Sequence, residues 1–145
     1  MLENILNYMQ VMENIASSGQ PNESEFAAIA NAGYEVIINF AMPNSENAIP
    51  SEGHLVTSNN MIYIHIPVPF DEPELFHLQS FIKIMEIFAD KKVWVHCVKN
   101  YRASAFLYRY LRKSRGLSAT EAQKAILPSW EPNEIWQRFM SLDSN

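Results

Sequence analysis

The alternation of apolar and polar positions along the chain predicts strands separated by helices. Residues 36–40, 61–68 and 93–96 form nearly continuous apolar runs between turn-forming residues, which is typical of buried strands. Apolar residues recur at helical spacing in residues 73–90 and again in residues 102–115. Because strands of this kind are buried on both faces by helical crossovers, the pattern predicts an α/β fold on a mostly parallel sheet.

Helix boundaries are marked by two capping boxes. Asn22 with Glu25, and Ser118 with Glu121, place a capping side chain three residues before a glutamate. Gly33 stands where the first of these helices should end. Pro128 ends the second, and residues 131–133 begin a last helix.

The remaining segments give weaker signals. Residues 1–9 can form a short helix, and residues 13–16 fit a brief edge strand. Residues 42–60 are polar and rich in turn formers, so they are expected to form one long loop, and loops of this length are often functional or mobile.

Length and charge narrow the class of protein. The chain has 145 residues and a formal net charge of −5, so we expect a single domain over residues 1–145 without nucleic-acid or anionic-membrane binding. No segment approaches the ~20 apolar residues of a membrane span. The amino-terminal residues do not resemble a secretory signal, and a single cysteine allows no intramolecular disulfide. A cytoplasmic protein is expected.

The segment HCVKNYRAS, residues 96–104, carries the candidate chemistry. Cys97 follows the third predicted strand directly, and Arg102 stands at the start of the next helix. In open α/β folds, ligands bind beyond the carboxyl ends of the strands. A helix amino terminus and a nearby guanidinium both favour a thiolate, which is a nucleophile.

The residues around Cys97 suit an anion cradle. The backbone amides of residues 98–103 can curl into a nest, and Arg102 offers bidentate donors to an oxyanion. Lys99 adds a mobile positive charge. Asn100 stands where such a loop often needs a positive φ, which asparagine tolerates better than most residues.

HCVKNYRAS resembles the signature of cysteine-dependent protein phosphatases. More narrowly, the chain resembles the bacterial phosphatase-like family that also occurs as the appended domain of β-lactamase-hydrolase-like proteins. The similarity extends over most of the chain and includes SGQP at residues 18–21, VIINF at 36–40, IHIPVPF at 64–70 and PSWEPNEIW at 128–136. It implies a three-layer α/β/α sandwich around a mostly parallel sheet of four to five strands.

The same resemblance assigns roles to individual residues. Cys97 matches the nucleophile, Arg102 the phosphate-binding arginine, and His96 the residue that tunes the thiolate. The substrate-binding positions are those of the loop and the first helical turn: Val98, Lys99, Asn100, Tyr101, Ala103 and Ser104. Gln20 is expected to support the loop rather than to bind substrate.

Two departures from the phosphatase pattern leave three functions open. Four residues separate Cys97 from Arg102 where five are common, and the usual loop glycine is absent. The short spacing is typical of rhodanese-like sulfurtransferases, in which the cysteine carries a persulfide. The candidates are therefore a phosphatase working through a phosphocysteine, a sulfurtransferase, and a non-catalytic module that binds anions or phosphopeptides.

Two side chains have both a catalytic and a structural interpretation. Asp71 follows the strand before the Cys97 strand and is the best candidate for the general acid, with Glu72 and Glu74 as alternatives. It equally fits a helix cap near Glu72 and Pro73. Ser104 fits either a hydrogen bond to the thiolate or an ordinary first-turn serine.

The expected ligands are anions. A phosphorylated small molecule or a phosphoprotein would be the substrate, and phosphate or sulfate would occupy the loop. No organic cofactor is implied. The histidines show no metal-ligand spacing, so no metal is implied either. The aromatic-rich carboxyl end leaves room for a homodimer.

Overall fold

The computed structural model describes residues 1–141 and has a central sheet of five strands. The strands are β1 (Met9–Met12), β2 (Ile15–Ser18), β3 (Val36–Asn39), β4 (Ile62–His65) and β5 (Val93–His96), in the order β1-β2-β5-β3-β4. β2, β5, β3 and β4 are parallel, and β1 pairs antiparallel with β2 at one edge. The predicted, mostly parallel sheet is confirmed.

Within the described residues 1–141, six α-helices connect or flank these strands. They are α1 (Glu23–Asn31), α2 (Glu52–Ser58), α3 (Leu75–Ile87), α4 (Tyr101–Lys113), α5 (Ala119–Ala122) and α6 (Glu134–Ser141), with 3-10 turns at Leu2–Asn4 and Gln123–Ala125. Both predicted capping boxes form, at Asn22 and at Ser118. Within residues 1–141, no helix is long and apolar enough to cross a membrane.

Two hydrophobic cores lie on opposite faces of the sheet. Val36, Ile38, Val93 and Val95 belong to the larger core, which includes side chains from α3 to α6. The neighbouring strand residues Ile37 and Trp94 belong to the smaller core, with side chains from α1 and α2. Because successive strand residues point to opposite faces, this division makes a three-layer α/β/α sandwich, as predicted.

The amino-terminal segment differs from the prediction. Only Leu2–Asn4 is helical, in a 3-10 turn, and Asn7 has a φ of 52° that cannot continue a helix. The predicted edge strand is β2, which lies inside the sheet between β1 and β5. Pairing with β2 therefore overrides the weak local helix signal, because isolated helices this short are marginal.

The segment predicted as one long loop contains α2. Only Glu52 and Val56 of this seven-residue helix are buried, and its sequence includes glycine, threonine and serine. Such a helix gives almost no apolar periodicity, and its packing against β4 and α1 stabilises it instead.

The aromatic side chains near the carboxyl end are buried. Trp130, Trp136 and Phe139 are at most 7% exposed, and Trp136 and Phe139 pack against Phe106 of α4. Because these side chains are buried within the protein, they give no support to a homodimer, which stays a prediction.

Candidate active site

The loop between β5 and α4 turns sharply at Asn100. Its φ is 72°, in the left-handed region, so the positive φ expected at this position is confirmed. The Asn100 side chain donates to the Asn7 carbonyl at 2.8 Å and to the Ser17 hydroxyl at 3.0 Å. The side chain therefore fixes the unusual backbone conformation from behind the loop.

The loop carbonyls are held by groups outside the loop. The Val98 carbonyl accepts from the Gln20 amide at 3.0 Å, and the Lys99 carbonyl accepts from the Asn7 side chain at 3.0 Å. The Asn100 carbonyl accepts the first helical hydrogen bond of α4, from the Ser104 amide, at 3.1 Å. These bonds turn the acceptors of the loop away from the cleft.

The loop amides, by contrast, donate to no acceptor in the described part of the chain. Within residues 1–141, no oxygen accepts a hydrogen bond from the amides of residues 98–103. Backbone donors are rarely left unpaired, and a helix amino terminus adds partial positive charge. The arrangement is suited to an oxyanion, which would satisfy several of these donors together.

The bond from Gln20 to Val98 requires a glycine beside it. A Cβ built on Gly19 would lie 2.6 Å from the Val98 carbonyl oxygen. The predicted supporting role of this segment is thus performed by the Gln20 backbone amide, while the Gln20 side chain points elsewhere.

Arg102 lies against the cleft that contains Cys97. Its Nη1 donates to the Val68 carbonyl at 2.8 Å, and its guanidinium lies 5.7 Å from the centre of the Phe70 ring. Its Nε is buried and has no hydrogen-bond partner within residues 1–141. Arg102 is therefore anchored by one nitrogen and retains a donor for a ligand.

The cleft has a volume of about 220 Å³ and is lined by Phe70, Cys97, Val98, Lys99, Tyr101 and Arg102. Cys97 is 1% exposed and forms its floor. The Tyr101 ring stacks on Trp130, with centroids 5.1 Å apart. The Trp136 indole donates to the Phe70 carbonyl at 2.9 Å, so both aromatic walls are held in place.

Asp71 lies beside this cleft rather than in it. Its side chain is exposed and borders a neighbouring groove with Arg138 and Phe139. The cap of α3 is Glu74, whose amide donates to His77 at 3.0 Å. The alternative interpretation of Asp71 as the helix cap is therefore wrong, and its acid role stays a prediction.

Ala103 and Ser104 are fully buried under the loop. The Ser104 hydroxyl accepts from the Leu127 amide at 3.1 Å and lies 3.5 Å from the Asn100 side-chain oxygen. These contacts account for the serine structurally. The Ser104 amide is already bonded to the Asn100 carbonyl, so of these two residues only Ala103 has a backbone amide left for a ligand within residues 1–141.

His96 takes part in a buried network that the sequence analysis missed. Its Nε2 lies 2.7 Å from Glu52 Oε2, and the other oxygen of Glu52 accepts from the Gln20 side chain at 2.7 Å. Tyr63 also hydrogen-bonds Glu52, and Asn39 donates to the Tyr63 hydroxyl at 3.0 Å. Gln20 and Asn39 are polar residues beside buried strands, where side chains need hydrogen-bond partners, and this could have indicated the network. Glu52, however, stood in the segment expected to be a loop.

The charge of Glu52 is stabilised despite its burial. Burial alone would raise the pKa of the Glu52 carboxyl, but hydrogen bonds from His96, Gln20 and Tyr63 and the charge of His96 together lower it. Burial, together with the nearby carboxylate, raises the pKa of Tyr63, so this phenol remains a donor. Within residues 1–141, no three His, Cys, Asp or Glu side chains form a group that could hold a metal ion.

The fold has similar solved structures. A candidate phosphatase of the DUF442 family from Shewanella putrefaciens CN-32 is 33% identical, with a TM-score of 0.86; the alignment covers 97% of this chain and 92% of that one. The chain belongs to this family. The family resemblance inferred from the sequence is confirmed.

Two more distant structures share the fold. TpbA from P. aeruginosa, in complex with pTyr, is 14% identical with a TM-score of 0.68, over 83% of this chain and 72% of that one. The core catalytic domain of the PP-IP phosphatase SIW14 from S. cerevisiae, in complex with citrate, is 15% identical with a TM-score of 0.74, over 97% and 88%. No profile of a known protein family and no curated protein matches the chain.

Proposed function

We propose that this DUF442 protein is a cysteine-dependent phosphatase that hydrolyses a phosphate monoester, with residues 1–145 as one catalytic domain. The proposal is carried by the cradle around Cys97, formed by the amides of residues 98–103, which have no partner within the described residues 1–141. The cleft volume of about 220 Å³ is several times the ~30 Å³ that one water molecule takes up in the liquid, so a tetrahedral oxyanion fits.

In the proposed reaction, the Cys97 thiolate attacks phosphorus, and the bond from phosphorus to the leaving oxygen breaks. The loop amides and Arg102 hold the phosphoryl oxygens as charge spreads over them. Water then attacks the phosphocysteine, breaks the P–S bond, and releases inorganic phosphate with the thiolate restored. This chemistry needs a free thiol, which is in keeping with a cytoplasmic protein.

Asp71 is the proposed general acid, which protonates the leaving oxygen. Because its side chain borders the neighbouring groove, this role requires it to turn toward the cleft. The adjacent Phe70 lines the cleft, so the backbone is already close by. Replacing Asp71 with Asn should lower kcat about 10²-fold for a poor leaving group and much less for a good one.

The substrate class follows from the cleft. Phe70 and Tyr101 offer aromatic walls, and the exposed Lys99 stands at the loop. A phosphorylated small molecule or phosphoprotein fits this environment. The pTyr bound to TpbA and the citrate bound to SIW14 support an anionic ligand in this fold.

Sulfur transfer is the second candidate, favoured by the four residues between Cys97 and Arg102. In that reaction the Cys97 thiolate would attack the outer sulfur of a donor such as thiosulfate and displace sulfite, which leaves a persulfide. A nucleophile such as cyanide would then take the outer sulfur and restore the thiolate. The exposed position of Asp71, away from the cleft, favours the third candidate, a non-catalytic module that binds anions or phosphopeptides.

One experiment separates these functions. The purified protein and its Cys97→Ser variant are assayed with an aryl phosphate, and in parallel with thiosulfate plus cyanide. We expect phosphate release that depends on Cys97. Thiocyanate production without phosphate release would favour sulfur transfer, and phosphate binding without either product would favour the binding module.

A further inference from the structure

Behind the cradle lies a buried acid–imidazole pair, in which the family resemblance assigns a role to His96 but none to Glu52. Glu52 is 3% exposed and His96 is fully buried, with 2.7 Å between Oε2 and Nε2. His96 directly precedes Cys97 in the chain. An ion pair that is removed from water needs a structural or functional reason, because burying the charges is costly.

Hydrogen bonding defines the proton count of His96. Its Nε2 faces the Glu52 carboxylate, and its Nδ1 lies 3.1 Å from the Cys97 carbonyl oxygen. Both neighbours are acceptors, so each contact is a hydrogen bond only if that nitrogen carries a proton. With Glu52 ionised, as its lowered pKa indicates, both are satisfied together only by the imidazolium, which places the positive end of the pair against the backbone carbonyl of Cys97.

The carboxylate is held independently of His96. Gln20 donates to its other oxygen at 2.7 Å, and Tyr63 is a further hydrogen-bond partner. Asn39, the last residue of β3, donates to the Tyr63 hydroxyl and accepts from the Ala41 amide. These bonds hold Tyr63 in place. Glu52 is thus fixed before any ligand binds, and the pair does not have to reorganise during a reaction.

We propose that Glu52 is a positioning residue, which keeps His96 protonated and oriented so that its charge stabilises the Cys97 thiolate. Buried charges are screened weakly, so this one acts strongly on the adjacent residue. The inference rests on the proposed function only in that Cys97 reacts as a thiolate, and it holds equally for phosphoryl and sulfur transfer.

Other titratable or charged groups also face Cys97 and His96. Lys99 from the loop, and Tyr101 and Arg102 from α4, line the cleft with Cys97, while Tyr63 from β4 interacts with Glu52. A Glu52→Gln substitution leaves all of them in place and preserves the shape of the side chain. A change in thiol reactivity in this variant therefore reports on the pair.

The test measures thiol chemistry rather than turnover. Cys97 is the only cysteine, so the rate of alkylation by iodoacetamide reports on it alone. In Glu52→Gln we expect the pH midpoint of alkylation to rise by roughly 1 unit, with alkylation about tenfold slower well below that midpoint. Glu52→Asp should recover part of the shift. Glu86→Gln, which removes an exposed carboxylate from α3, should match the unchanged protein.

An unchanged or lowered midpoint in folded Glu52→Gln would overturn the inference. A second measurement needs no substitution at Glu52. Nitrogen NMR of the histidine rings, assigned with variants of His54, His65 and His77, should show protons on both nitrogens of His96 at neutral pH. A neutral ring at His96 would overturn it as well. Absence of turnover would instead affect only the proposed function.

Discussion

The two sides of the Cys97 loop differ in how completely their polar groups are paired. Behind the loop, the Asn100 side chain hydrogen-bonds Asn7 and Ser17. Glu52 of the Glu52–His96 pair hydrogen-bonds Gln20 and Tyr63 as well as His96. In front of it, the amides of residues 98–103 and the Nε of Arg102 have no partner within residues 1–141. The paired side provides rigidity, and the unpaired side is left for a ligand. Changes in front should therefore reduce activity with little loss of stability. Changes behind should reduce stability, and at Glu52 they should also lower the reactivity of Cys97.

The largest expected effect is on the front side. Arg102→Lys keeps a positive charge but loses the planar donor set, so kcat/KM on an aryl phosphate should fall about 10²- to 10³-fold. Arg112→Lys, at an exposed position on the same helix, is the matched control and should leave kcat/KM unchanged. Equal losses in both variants would show that Arg102 has no special role.

The next effect is on the rear side. Asn100→Ala places at a φ of 72° a residue that tolerates this conformation less well, and it removes the hydrogen bonds to Asn7 and Ser17. The free energy of unfolding measured in urea should therefore fall by about 2–3 kcal/mol. Asn100→Gly keeps the backbone conformation and loses only the side-chain bonds. Its loss of stability should be clearly smaller, and an equal loss would contradict the role assigned to the positive φ.

Most of the sheet could be predicted from the sequence, because β3, β4 and β5 are apolar runs that need no distant information. β1 and α2 could not, since both depend on tertiary partners rather than on their own pattern. The conformation of Asn100 was predictable from its place in a tight loop. The partner of His96 was not, because Glu52 lies 44 positions away in a polar segment.

A smaller, pH-dependent effect concerns Glu52. Its folded pKa is below the ordinary value of 4.5, so its contribution to stability is fully present above that value and is lost as the pH falls through the folded pKa. Urea unfolding from about pH 7 to about pH 3 should therefore show a difference between the unchanged protein and Glu52→Gln that shrinks with falling pH. A constant difference would mean that the charge of Glu52 contributes nothing.

The smallest effect is expected at Lys99. Its side chain is exposed at the cleft, so Lys99→Ala should raise KM for an anionic substrate a few-fold, without affecting unfolding. Added salt should reduce the difference, because exposed charges are screened. Lys83→Ala, on α3, is the control for the loss of one positive charge.

The most direct test of the account is to trap the covalent intermediate. The protein is mixed with an aryl phosphate, quenched in acid within the first turnovers, digested and analysed by mass spectrometry. The account predicts a phosphoryl group on the peptide that contains Cys97, and none in Cys97→Ser. Steady release of phosphate without any adduct on Cys97, or an equal release by Cys97→Ser, would contradict it.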